Sequence, residues 1–244
     1  MMPELTLIVP CLNEENNVAE LAFRFLHSAK LHKCSAEIVF VDDGSTDKTL
    51  LRLREIETEF SPRVKVLSNQ SNLGIAGSWS AGLREANGRV VSFLDADLQS
   101  SPEDVFRLFE VLQSSDSDLV RGVRINALGF RDSRYAMSRL LNWLLNLTFC
   151  MNSRDNKSGF IVVEHRLALQ LIEKHQKFRY FQTFLGVAAE SLGFRTVEIE
   201  TLFAPRRSGQ SFLRKRWLWV GLAVLREFPL ARRMFSPRKT RVRK

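Results

Sequence analysis

The sequence predicts an α/β domain built on a mostly parallel central sheet. Two observations carry this. The runs Leu5-Thr6-Leu7-Ile8-Val9, Ile38-Val39-Phe40-Val41 and Val90-Val91-Ser92-Phe93-Leu94 are almost continuously apolar. Strands of that kind are buried on both faces, the pattern of a parallel sheet covered by helices. Segments of helical length separate them, which gives the alternating βαβα order of such a fold. A third observation places a site. Each run is followed by an acidic loop, with Glu14, then Asp42 and Asp43, then Asp95 and Asp97. Ligands of parallel sheets bind at these carboxyl ends.

Taken in order, strands are expected near residues 4–9, 37–42, 63–68, 89–94, 118–123, 157–163 and 195–202. Helices are expected near 15–32, 47–60, 75–87, 103–114, 134–151, 166–175 and 180–192. Pro10 cuts the first strand, and Asn13 or Asn16 could cap the helix after it. Ser45 or Thr46 could cap the next one. The segment Tyr135 to Met151 is strongly apolar, with polar exceptions at Arg139, Asn142 and Asn146 on one helical face. A helix apolar around most of its circumference is buried or faces lipid. In the first case Arg139 pairs with a carboxylate such as Asp132. In the second it meets a lipid phosphate.

Capping accounts for one polar residue per loop, not for repeated carboxylates. Like charges collected at one sheet edge are unfavourable without a cation or a donor-rich ligand. In a strand, residues i and i+2 point the same way. Asp95 and Asp97 would then share one divalent cation, with the amide oxygen of Gln99 beside them. Hard oxygen ligands suit Mg²⁺ or Mn²⁺.

Pro10-x-x-Asn13-Glu14, Val41-Asp42-Asp43-Gly44-Ser45-x-Asp47, Asn72-x-Gly74 and Asp95-Ala96-Asp97-Leu98-Gln99 resemble, in order and spacing, the inverting family 2 glycosyltransferases of GT-A fold. Within them the match is to the branch of dolichyl-phosphate mannose synthases and bacterial polyprenyl-phosphate glycosyltransferases. That branch carries a Gly-x-Arg after its fifth strand, here Gly122-Val123-Arg124. It also carries an Asp-x-x-Ser-Gly-Phe segment, here Asp155 to Phe160, and a basic Gly-x-Ser loop, here Arg206 to Ser211. The resemblance covers about residues 3–215. It implies donor contacts at Pro10, Leu12, Glu14, Asp42, Asp43, Asp95 and Ala96, metal at Asp95, Asp97 and Gln99, and catalysis through Asp97 by way of the metal. It implies acceptor-phosphate contacts at Arg124, Arg139, Arg206 and Arg207. Leu12 stands where the family often has an aromatic residue for the nucleotide base. Phe212 replaces a usual Lys, with Arg214, Lys215 and Arg216 nearby.

Composition agrees with a globular enzyme. The chain of 244 residues, 45% apolar and 26% charged, is long enough for a full core and too apolar for disorder. Three scattered cysteines form neither a disulfide framework nor a zinc site, which suits a reducing compartment. The N-terminus carries no recognisable signal peptide. The net charge of +9 is concentrated at the end, where residues 206–244 hold 13 Lys/Arg against the single acid Glu227. Within that tail Trp217 to Leu225 is non-polar, far short of the roughly 20 residues that span a bilayer. Pro229 is expected to limit any longer helix. Three readings fit: an amphipathic helix at an anionic membrane surface, a packed final helix with a loose basic end, or nucleic-acid binding. Only the first gives the tryptophans and the arginine clusters one purpose, and nucleic acid is not an expected partner.

The expected architecture is a GT-A domain over 1–212, with a donor half to about 122 and an acceptor half from 123, followed by a basic amphipathic segment over 213–244. The expected activity is metal-dependent inverting transfer of a sugar, mannose or glucose, from a nucleotide-diphospho-sugar to a polyprenyl phosphate. It would act peripherally at the cytoplasmic membrane face, without a transmembrane helix. Transfer to a phosphate needs no general base, because the nucleophile is already charged. The alternatives are the same fold acting on a glycan or lipid hydroxyl, with Asp155 as the base, and a non-catalytic membrane or nucleic-acid binder. The sequence leaves oligomeric state open.

Overall fold

A computed structural model describes residues 2–126, 133–205 and 217–235. The elements run in the order β1 (Leu5–Cys11), α1 (Val18–Leu31), β2 (Ala36–Asp42), α2 (Thr49–Glu59), β3 (Val64–Ser68), α3 (Gly74–Glu85), β4 (Val90–Phe93) and α4 (Asp104–Ser114). They continue with β5 (Leu119–Asn126), α5 (Ser133–Phe149), β6 (Ile161–Glu164), α6 (His165–Ile172), α7 (Leu185–Leu192), β7 (Thr196–Phe203) and α8 (Trp217–Met234). Two 3₁₀ turns, His175–Lys177 and Phe181–Phe184, precede α7. The helix expected from residue 180 is thus divided, with α7 itself starting at Leu185. It ends at Gly193, whose φ of 77° supplies the left-handed C-terminal turn that glycine adopts most easily.

The seven strands form one sheet in the order β3-β2-β1-β4-β6-β5-β7. Only β6 is antiparallel, to both β4 and β5, so the sheet is mostly parallel as expected. Alternation along β1 splits the core into two layers. Leu5, Leu7 and Val9 meet Phe25 of α1, Leu53 of α2 and Phe106 of α4 on one face. Ile8 joins Trp79 of α3, Leu145 and Phe149 of α5 and Phe184 on the other. Each fully buried side chain of this size contributes about 1.5–3 kcal/mol, so the sheet edges that carry the acidic loops are rigidly held.

Two local expectations change. The Gly122-Val123-Arg124 triplet lies inside β5, which runs three residues past its expected end because β7 pairs with it up to Asn126 and Phe203. Gly122 is required by that packing: a Cβ there would lie 2.7 Å from the Phe160 ring. The last helix does not stop at Pro229 but continues to Met234. A helical proline forfeits a backbone hydrogen bond and crowds the preceding turn. Here core contacts on both sides offset that cost. Val224, Ala231 and Phe235 are buried, and Phe228 stacks on Phe149 at 6.1 Å. None of the described helices is long and apolar enough to cross a membrane.

Candidate active site

The loops after β1 and β2 are fastened to one another. Asn13, with a left-handed φ of 57°, accepts hydrogen bonds from the Thr46 N–H at 2.8 Å and the Thr46 hydroxyl at 3.3 Å. Its own N–H donates to Ser45 Oγ at 3.0 Å, and the Glu14 N–H donates to Thr49 Oγ1 at 2.8 Å. Asn13, Ser45 and Thr46 therefore join two loops rather than cap their own helices. The residue at the N-terminus of α1 is Asn17, whose side chain donates to Glu14 Oε2 at 2.5 Å. The result is a shaped rim over the ends of β1 and β2, with Leu12 exposed on it and Pro10 paired with Val41 beneath.

Asp42 and Asp43 are both buried but differ in role. Asp43 accepts from Asn69 Nδ2 and the Leu73 N–H, each at 2.8 Å, and from the Gly74 N–H at 2.9 Å. It thereby caps α3, where a negative charge also suits the positive end of the helix dipole. Asp42 has a buried Oδ1 with no hydrogen-bond partner. An orphaned carboxylate oxygen at a strand end is unfavourable unless something donates to it. Next to it lies the Cys11 thiol, pushed well up by burial and then by the charges of Glu14 and Asp42.

The pair Asp95 and Asp97 does not extend a strand. β4 stops at Phe93, and the two carboxylates sit on the turn that follows, so strand alternation does not align them. Asp95 is exposed, while Asp97 is buried and accepts the Gln99 N–H at 3.1 Å. Leu98 between them and Gln99 has a φ of 56°, a conformation a leucine adopts at a cost of about 1–3 kcal/mol. Core burial of Leu98 and Ala96 holds the turn in that shape. The exit of β7 closes it from the side. The Ala204 N–H donates to Gln99 O at 2.8 Å, and Gln99 Nε2 donates to Ala204 O at 3.0 Å. That bond leaves Oε1 as the acceptor end of the Gln99 amide. Two carboxylates and one amide oxygen are the donor set of a hard cation. Among the described residues no three His, Cys, Asp or Glu side chains are grouped to hold a metal ion, on this turn or elsewhere, so a cation here would depend on the Gln99 oxygen as its third protein ligand.

Arg124 joins this turn to the second half of the chain. It points from β5 at Asp155, donating from Nε to Oδ2 at 2.7 Å and from Nη2 to Oδ1 at 2.9 Å. Burial alone would weaken its charge, but Asp155, with Asp95 and Asp97 behind it, raises its pKa above the ordinary value. Burial likewise works against the Asp155 carboxylate, yet Arg124 and then Lys157 hold it below its usual range. Arg124 also lies 5.4 Å over the Phe203 ring at the end of β7.

The loop that carries Asp155 is clamped by α5. Asn142 Nδ2 and Asn146 Nδ2 each donate to Ser153 O at 2.9 Å, and Asn142 Oδ1 accepts the Asn156 N–H at 2.8 Å. These two polar exceptions therefore serve the loop. Arg139 is exposed on α5, close enough to act electrostatically on Lys157. Its suggested partner Asp132, and Arg206, Arg207, Phe212, Arg214, Lys215 and Arg216, lie outside the described residues. The outer face of α5 exposes Leu140, Trp143 and Leu147, three apolar residues at i, i+3 and i+7. α8 packs beside it and exposes Trp219, Leu222 and Leu225.

Two features of this cluster escaped sequence reasoning. The first is the pairing of Arg124 with Asp155, 31 residues apart on different elements. The second is Lys157, two residues after Asp155 inside the Asp-x-x-Ser-Gly-Phe segment and partly buried in the same cluster, 3.8 Å from its carboxylate. A cation two residues from the aspartate was the available signal.

The family model described as Glycosyl transferase family 2 matches residues 6–175. An undecaprenyl-phosphate 4-deoxy-4-formamido-L-arabinose transferase of Edwardsiella ictaluri is 30% identical over 209 residues, covering 85% of this chain and 62% of that protein. A dodecaprenyl-phosphate galacturonate synthase of Rhizobium johnstonii is 32% identical over 143 residues, covering 59% of this chain and 41% of that protein. The chain thus spans less than two thirds of the length of these relatives. Among solved structures, glucosyl-3-phosphoglycerate synthase of Mycobacterium tuberculosis with Mn²⁺, UDP and phosphoglyceric acid superposes with a TM-score of 0.67 at 18% identity, covering 98% of this chain and 80% of that one. A mannosyltransferase of Pyrobaculum calidifontis with GDP-mannose and Mn²⁺ gives 0.59 at 17%, covering 85% and 59%. At those identities the structures speak for the GT-A fold.

Proposed function

The chain belongs to glycosyl transferase family 2, and from that premise we propose that it transfers a sugar from a nucleotide-diphospho-sugar to a polyprenyl phosphate, with inversion. The observation that carries the acceptor is the cationic cluster around Asp155 beside the apolar face of α5. A phosphate monoester bearing an isoprenoid chain needs both: positive charge for its head and exposed Leu/Trp surface for its tail. The names of the two bacterial relatives, both polyprenyl-phosphate sugar transferases, support the same acceptor. Their sugars differ from the mannose or glucose expected from sequence, so the sugar is open to a screen that includes uronates and pentose derivatives.

In this reading Asp42, with its unpartnered oxygen, and Glu14 accept hydrogen bonds from the base or ribose, and the rim with Pro10 and Leu12 covers the base. Asp43 acts from below by fixing α3. Asp95, Asp97 and the Gln99 oxygen would hold Mg²⁺ or Mn²⁺, which supplies charge neutralisation for the departing diphosphate. Ala96 keeps the turn against the core. The acceptor phosphate, with a second pKa of about 6, is mostly dianionic at neutral pH. One of its oxygens attacks the anomeric carbon as the bond to the nucleoside diphosphate breaks, and no proton has to be removed. Arg124 and Arg139, with Arg206 and Arg207 of the basic loop, screen that anion from the donor. A hydroxyl acceptor would need a base. Asp155 is the nearest candidate, but a carboxylate gripped by Arg124 and held below its usual range is a weak proton acceptor.

The exposed Leu140, Trp143, Leu147, Trp219 and Leu222 support a peripheral position on membrane, assisted by the basic tail and anionic lipid. The cytoplasmic face is part of the proposal. The test is to incubate the protein with Mn²⁺, undecaprenyl phosphate and a panel of nucleotide sugars. A lipid-linked sugar phosphate of inverted anomeric configuration is expected. Equal transfer to undecaprenol, or no lipid product with any donor, would overturn the acceptor assignment.

A further inference from the structure

We propose that Lys157 is a further phosphate-binding residue of the acceptor subsite, gripping a prenyl phosphate monoester together with Arg124 and Arg139. This rests on the acceptor reading above and adds to it a residue that reading does not use.

Asp155 is already satisfied, since both its oxygens are engaged by the Arg124 fork at 2.7 and 2.9 Å. Lys157 Nζ stands 3.8 Å from Asp155 Oδ1, beyond hydrogen-bond distance, so it is not needed to complete that pair. Among the described residues Nζ makes one hydrogen bond, to Ser138 O at 3.0 Å. An ammonium has three donors, which leaves two N–H groups. The side chain is nevertheless only 16% exposed. A mostly buried cation beside two other cations, Arg124 and Arg139, and one shared carboxylate is an unfavourable arrangement by itself. It becomes favourable when a further anion enters. The ionisation of the group agrees: burial pushes Lys157 down to about 8, and Arg124 and Arg139 push the same way, while Asp155 pulls upward. The anchoring is also suited to a lipid. Ser138 and Arg139 belong to α5, one turn before Trp143 and on the helix whose outer face exposes Leu140, Trp143 and Leu147. A phosphate held by Lys157 would sit at the start of that apolar stripe.

The test uses the full chain and geranyl phosphate, with geraniol and inorganic phosphate as parallel arms, by calorimetry at pH 7 and by acceptor KM in the transfer assay. Lys157→Met keeps length without charge, and Lys157→Arg keeps charge. The wild type is expected to bind geranyl phosphate but not geraniol, and to bind it more tightly than inorganic phosphate. Lys157→Met should weaken geranyl phosphate by roughly tenfold or more and raise acceptor KM alike, with donor KM unchanged. Lys157→Arg should recover most of the loss. Thermal stability of both variants is read alongside; a purely structural lysine would leave binding in place and lower stability in Lys157→Met. Unchanged binding of geranyl phosphate by Lys157→Met overturns this inference and leaves the acceptor reading standing. No binding of geranyl phosphate by the wild type overturns both. Equal binding of inorganic phosphate and geranyl phosphate would assign the site to free phosphate, and that too defeats the prenyl assignment.

Discussion

Arg124 and Asp155 form a two-pronged ion pair, Nε to Oδ2 at 2.7 Å and Nη2 to Oδ1 at 2.9 Å, that ties β5 to the loop before β6. The pair sits between the acidic turn after β4 and the polar face of α5. It decides which way the arginine points and how basic the carboxylate is.

Removing one member should therefore affect more than one property. Asp155→Asn is expected to lower stability by about 1.5–3 kcal/mol, because a mostly buried arginine loses a charged hydrogen-bond partner. Acceptor use should fall as well, since Arg124 is no longer aimed. Urea denaturation and acceptor KM on the same variant report both. A stability equal to wild type would show that the pair is not holding the loop.

Asp97→Ala is expected to abolish transfer while leaving the secondary structure unchanged by circular dichroism. The carboxylate is buried, and it accepts a hydrogen bond from the turn backbone at Gln99. Excess EDTA should silence the wild type, and Mn²⁺ or Mg²⁺ should restore it. Activity that survives EDTA would remove the metal from Asp95, Asp97 and Gln99.

A different ion pair contributes to the acid response. Arg24 of α1 donates to both oxygens of Glu103, at 2.7 Å each. Burial raises the Glu103 pKa, but Arg24 and Ser101 draw it down to about 2. A depressed carboxylate stabilises the fold at pH values above its unfolded pKa, and that contribution is lost as pH falls through about 2. Glu103→Gln should thus cost stability at pH 7, by about 0.5–1 kcal/mol for a pair that is partly exposed. The difference from wild type should narrow steadily towards pH 2 in a denaturation series. A difference that is constant across the series would contradict the assignment.

Membrane attachment can be tested without truncation. Cutting the chain before α8 would remove Val224, Ala231 and Phe235 from the core and so confuse anchoring with unfolding. Trp219→Ser and Leu222→Ser lie on the exposed face. Together with Trp143→Ser they should leave the thermal midpoint near wild type and sharply reduce sedimentation with anionic liposomes at high salt, where the apolar contribution remains and the basic one is screened. Sedimentation equal to wild type would remove this face from the membrane contact.

The positions of most strands, the alternating order of the first half and the collection of Glu14, Asp42, Asp95 and Asp97 at one sheet edge were legible in the sequence, although β6 begins at Ile161, four residues later than expected. Those features are local: apolar runs mark buried strands, and polar loops follow them. The remaining features depend on contacts between residues distant in sequence. The antiparallel insertion of β6 between β4 and β5 brings the Asp155 loop to Arg124. Asp43 turns away from Asp42 because the N-terminus of α3 lies beneath it. The carboxylates Asp95 and Asp97 fall on a turn, not a strand, because β4 loses its β6 partner after Phe93. α8 passes through Pro229 because the core accepts residues on both sides of it. In each case the deciding energy is a packing or charge interaction between separate elements, and nothing in the local pattern of either partner encodes it.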